Sequence, residues 1–152
     1  KEIPFQGVYL IKPDGELLLL TQELSRPNGV ALSPDEKTLY VANSDPERAI
    51  WMAYDIMEDG RVENERIFFD ATPMTESLRG LPDGLKVDQQ GNLFATGPGG
   101  VLIFSPEGTH LGTIFTTQAT ANCSFGKGGQ SLFMTADMYL LEVPILTTGM
   151  GF

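Results

Sequence analysis

The sequence is poor in the side chains that most often carry chemistry: it holds one cysteine, Cys123, and one histidine, His110. A single thiol excludes an intrachain disulfide and a cysteine-based zinc cluster. Basic residues are scarce as well. Ten Lys and Arg stand against 20 Asp and Glu in 152 residues, and the formal charge of −10 repels phosphate backbones and anionic bilayers. Nucleic acid and membrane surfaces are therefore poor partners, and cations are better ones. No apolar run approaches the roughly 20 residues of a membrane-spanning helix. The opening KEIPFQ has neither the charged-then-apolar order of a signal peptide nor an initiating Met, so a start inside a longer product is expected and the compartment stays open. Helical periodicity is missing too: no window of a dozen residues carries an amphipathic stripe free of Gly or Pro.

What the chain does hold is a compact-domain composition, 41% hydrophobic and 20% charged, written as many short strands. Segments such as GVYLI, ELLLLT, TLYVANS, AIWMAYDI, RIFFD, NLFATG, VLIFS and SLFMTA are rich in β-branched and aromatic residues. Turn signals separate them: KPDGE, SPDEK, EDGR, QQGN, SPEGT and GKGG. The expectation is an all-β protein.

Internal repetition sharpens this. NGVALSPDEKTLYVAN from Asn28, DGLKVDQQGNLFATG from Asp83 and NCSFGKGGQSLFMTA from Asn122 fall into register. Each unit opens on Asn or Asp, runs through a short strand and a polar turn, and begins a second strand with Leu-aromatic. Those pairs are Leu39-Tyr40, Leu93-Phe94 and Leu132-Phe133, at 11, 10 and 10 residues from the opening side chain. The units start 55 and 39 residues apart, close to the blade period of about 40 to 50 residues in a β-propeller. The first strand of a blade is innermost, so Asn28, Asp83 and Asn122 are expected to ring one mouth of a central channel. The predicted layout is two outer strands over about 7–21, blades over about 28–70 and 83–117, and three strands over about 122–145. That is roughly 13 strands, where six four-stranded blades need about 24, so the chain is expected to supply the C-terminal half of a propeller.

The ordered set RPNGVALSPDEKTLYVAN, LPDGLKVDQQGNLFATGPGGVLIFSPEGTHLGTI and ANCSFGKGGQSLFMTA resembles the senescence-marker/gluconolactonase, or regucalcin-like, family over essentially the whole chain. The resemblance implies a six-bladed propeller with a divalent cation at the channel mouth. Calcium comes first, with Mg²⁺, Zn²⁺ or Mn²⁺ as alternatives, and the implied activity is hydrolysis of a sugar lactone. Carried over by motif, Asn28 of PNG and Asp83 of PDG are metal ligands, and Asp83 is also the proton-transfer residue. The family's remaining ligand, a Glu of the first blade, is expected upstream, in a missing segment or a separate chain; Glu2, Glu16 and Glu23 have the wrong context. The segment alone is accordingly expected to be inactive. The chemistry agrees, because amide and carboxylate oxygens suit a hard cation, and few protein ligands leave positions open for water and substrate.

Plainer readings stand beside these. Asn-Gly and Asp-Gly are common tight turns, but here separate turns follow at matched distance. Asn122 is either a channel-lining amide bonded to backbone or a substrate contact. Arg79, in the loop ahead of Asp83, is either solvated or a hold for a sugar hydroxyl, and Met74 of the same loop can wall the pocket. Cys123 reads as a buried small hydrophobe, His110 as an exposed hairpin residue, and Trp51, Met52 and Tyr54 as packing; GxSxG is absent. Two other functions remain open, a propeller that binds a cation or partner without turnover and a phosphotriester hydrolase of similar fold.

Overall fold

The computed structural model describes residues 2–152 and contains 13 strands in four antiparallel sheets. The first sheet pairs β1 (Val8–Ile11) with β2 (Leu17–Thr21). The second is a meander of β3 (Pro27–Leu32), β4 (Thr38–Asp45), β5 (Arg48–Ile56) and β6 (Val62–Asp70). A 3₁₀ turn over Thr72–Glu76 leads to the third sheet, β7 (Leu85–Val87), β8 (Leu93–Gly97), β9 (Gly100–Phe104) and β10 (His110–Phe115). The fourth holds β11 (Thr120–Gly126), β12 (Ser131–Ala136) and β13 (Tyr139–Pro144).

The strand pattern explains the stacking. Middle strands read as continuous apolar runs, LYVA in β4, AIWMAY in β5 and LFAT in β8, and these are buried throughout, so both faces of the second and third sheets meet another layer. Three core clusters fill the gaps in chain order. Leu39, Val41, Ile50, Met52 and Tyr54 pack with Val8 and Leu20 between the first and second sheets. Tyr40 and Trp51 meet Leu85, Leu93, Leu102 and Phe104 between the second and third, with the Trp51 and Phe104 ring centroids 5.4 Å apart. Phe94 and Val101 meet Cys123, Phe125, Leu132 and Met134 between the third and fourth. Trp51, Met52 and Tyr54 are packing residues in this arrangement.

Polar turns do what their residues dictate. In the β3–β4 hairpin, Asp35 Oδ1 accepts from Ser33 Oγ at 2.6 Å and Lys37 N–H at 3.2 Å. The β7–β8 turn turns on buried Asp88, which accepts from Gln90 N–H, Asn92 N–H, Asn92 Nδ2 and Thr147 Oγ1. That last bond ties the C-terminal tail to the third sheet, helped by Met150 N–H donating to the Val87 carbonyl at 3.1 Å. Among the described residues no helix is long and apolar enough to cross a membrane.

Candidate functional site

Asn28 stands inside β3, where Pro27 pairs with Asn43 of β4. Antiparallel pairing places the end of β4 beside the start of β3, so Asn43 and Ser44 become neighbours of Arg26 and Asn28. Fully buried Asn43 accepts the Arg26 N–H at 2.8 Å and donates to the Arg48 carbonyl at 2.8 Å, which clamps the chain entering β3. Ser44 N–H donates to the Arg26 carbonyl at 2.9 Å, and Asn28 Nδ2 donates to Ser44 Oγ at 3.0 Å.

Asp83 leads into β7 and is held from two sides. Its own N–H donates to the Thr96 carbonyl of β8 at 3.1 Å, and the Gly84 N–H donates to the Ala121 carbonyl of the fourth sheet at 2.9 Å. Thr96 Oγ1 donates to the Gly84 carbonyl at 2.9 Å and closes the link. Ser44 Oγ also donates to the carbonyl of Pro82, so the second sheet grips the residue before Asp83.

The glycines that follow the two site residues have a steric cause. Neither Gly29 nor Gly84 has left-handed backbone, so neither is required by a turn. A Cβ at Gly29 would overlap the Asp83 carbonyl oxygen, and one at Gly84 would overlap Asn122 Oδ1. The first strands of successive sheets approach at backbone contact, which is what brings Asn28 and Asp83 together.

Asn28 and Asp83 line one cavity of about 420 Å³ with Ser44, Gly80, Leu81, Ala119, Thr120 and Ala121. Burial pushes the Asp83 carboxyl above its ordinary range, and the Asn28 side chain and the Gly84 N–H offset part of that rise. No ion pair of Asp83 exists among the described residues. A half-buried carboxylate beside an amide, with no basic partner, is a donor set suited to a hard cation. It is also a partial set: among the described residues no three His, Cys, Asp or Glu side chains are grouped to hold a metal ion.

The other sequence-derived residues are placed elsewhere. Asn122 faces an adjoining cavity with Lys86, Ser124, Phe133 and Thr135, and its Oδ1 accepts the Cys123 N–H at 2.9 Å. Arg79 is exposed, with its carbonyl accepting the Gly99 N–H and its guanidinium unbonded among the described residues. Met74 packs against the core around Trp51 and Phe104, and Gly80 and Leu81 wall the cavity instead. Cys123 is buried, its thiol pushed up to about 12 by desolvation, and is no nucleophile. His110 is exposed, with Nε2 at 2.9 Å from Thr113 Oγ1. Ser44 is the residue that sequence reasoning missed. The hairpin length carries the signal, since a strand that starts at Pro27 and a partner that ends at Asp45 bring Asn28 and Ser44 together.

A family model described as "SMP-30/Gluconolactonase/LRE-like region" matches residues 1–137. A gluconolactonase of Zymomonas mobilis is 43% identical over 153 residues, covering 98% of this chain and 43% of its own length. The solved structure of a gluconolactonase from Xanthomonas campestris superposes with a TM-score of 0.81 at 35% identity, over 94% of this chain and 46% of the other. That of regucalcin from Agrobacterium tumefaciens, described as a calcium-binding protein, gives 0.76 at 21% identity, over 94% and 53%, and supports the fold alone. The chain spans about half the length, or less, of each of these relatives.

Proposed function

Because the chain belongs to the SMP-30/gluconolactonase/LRE-like family, we propose that it supplies two ligands of a divalent cation, Asn28 and Asp83, in a lactone hydrolase. The observation that carries this reading is their convergence on one cavity from two different sheets. Calcium is the first choice of ion, supported by the oxygen-only donor pair and the charge of −10.

The architecture we propose is a six-bladed β-propeller of which this chain is the C-terminal half. Three features support it. The sheets stack in chain order, the relatives are about twice as long, and β1 and β2 stand as a two-stranded sheet beside four-stranded ones. Next to that pair, Tyr9, Leu10, Val30, Leu32, Leu39 and Ile56 line an apolar groove of about 420 Å³, a seat for the two inner strands of the same blade. The third ligand, a glutamate, would come from that preceding sequence.

Bound between these residues, the cation would polarise the lactone carbonyl and acidify a water. Asn28 contributes a neutral oxygen and therefore holds position without adding charge. Asp83 takes the proton of the attacking water and returns it to the ring oxygen as the ester bond opens. Leu81 and the small residues Gly80, Ala119 and Ala121 leave room for a polyhydroxylated ring. Arg79, exposed and next to Gly80, is assigned to a sugar hydroxyl.

Hydrolysis of δ-gluconolactone with calcium, by this chain and by the chain joined to its preceding half, tests the reading. Turnover is expected only from the joined protein. Full turnover by the chain alone would overturn the shared-site proposal, and phosphotriester cleavage without lactone cleavage would overturn the substrate class.

A further inference from the structure

We propose that Ser44 is a positioning residue that fixes which end of the Asn28 amide faces the cation, an inference that rests on the cation reading above. A serine hydroxyl has one proton to donate. The Ser44 hydroxyl lies against the Pro82 carbonyl, which has none, so the proton is committed there. Toward Asn28, 3.0 Å away, Ser44 Oγ can only accept, and only the Nδ2 end of the amide can donate. Nδ2 is therefore the end that meets Ser44; in the cation-free site the same NH₂ group also donates to the Asp83 carboxylate, and once a cation takes that carboxylate Ser44 alone holds the amide with Oδ1 turned away from it. An asparagine lacking such a neighbour has two ends of nearly equal shape, of which only one can ligate a cation.

The same hydroxyl couples the two ligands. Pro82 is bonded to Asp83, so one oxygen at the end of β4 holds the Asn28 amide with one lone pair and the Asp83 segment with its proton. Ser44 is itself fixed, by pairing with Ala49 of β5 and by its N–H to the Arg26 carbonyl at 2.9 Å. Partners that orient a ligand typically alter metal affinity about 10- to 100-fold when removed.

The experiment is ¹⁵N NMR of the side-chain NH₂ of Asn28, identified by its disappearance in Asn28→Asp, in wild type, Ser44→Ala and Ser44→Thr. Each sample, as the chain joined to its preceding half, is then titrated with calcium alone. In wild type and Ser44→Thr the NH₂ signals are expected to be displaced from random-coil positions and protected from exchange with solvent. In Ser44→Ala they should move toward random-coil positions and exchange faster with water, and calcium binding should weaken about 10- to 100-fold, with the backbone spectrum showing an intact fold. Unchanged Asn28 signals in Ser44→Ala would overturn the proposal, as would unchanged calcium affinity. If the NH₂ signals respond as expected but wild type binds no calcium, the orienting role stands and the cation reading falls.

Discussion

At Asp83, burial and hydrogen bonding act in opposition, and burial prevails. A carboxyl whose folded pKa lies above its unfolded value binds protons more tightly in the folded chain. Stability is then fully present below the unfolded pKa and falls as pH rises through the folded one. At neutral pH the ionised Asp83 is accordingly a local liability, which the proposed cation would relieve by partnering the charge. Asp83→Asn removes the charge and keeps the shape. In urea unfolding with chelator, this variant is expected to be more stable than wild type at neutral pH, the difference shrinking as the pH is lowered into the carboxylate range. With calcium added, wild type should gain and the variant should not. An Asp83→Asn variant less stable than wild type in chelator would contradict the assignment. The place of Asp83 at a strand start was legible from PDG in its repeat, but its opposing interactions were not, since they come from Asn28, 55 residues away, and from the packing of two sheets.

Among the strands, the decisive feature is how closely the first strands of neighbouring sheets approach. The Gly84 N–H reaches the Ala121 carbonyl, and the space a Cβ would need at Gly84 is taken by Asn122. Gly84→Ala forces β7 and β11 apart at the point that holds Asp83. Overpacking of this kind costs about 1–3 kcal/mol, measurable by urea unfolding, and calcium binding should weaken with it. A variant that keeps both stability and affinity would show that the approach is loose. The strands themselves were readable from apolar runs between Gly, Pro and Asp turns, because that chemistry is local. The short 3₁₀ turn over Thr72–Glu76 was not, having no apolar period to announce it. Ser44 escaped for a different reason: its partners, Asn28 and the Pro82 carbonyl, lie on the neighbouring strand and ahead of the next sheet, so no sequence window contains all three.

For the molecule as a whole, the excess of 10 negative charges raises the local concentration of cations, which favours the proposed two-ligand site. The sequence disclosed the repeat and therefore the convergence of Asn28 and Asp83. It also placed Asn122 in the same ring, as an amide bonded to backbone or a substrate contact; in the structure its Oδ1 accepts the Cys123 N–H and the residue lines the adjoining cavity with Lys86. The proposed function thus gives this chain two ligands, Asn28 and Asp83, and depends on both serving one ion. The most direct test is δ-gluconolactone hydrolysis by the full-length protein, stripped with EDTA and then resupplied with calcium, in wild type and Asp83→Ala. Wild type is expected to lose turnover with EDTA and regain it with calcium, while Asp83→Ala stays inactive in both. Calcium-restored turnover in Asp83→Ala would contradict the account.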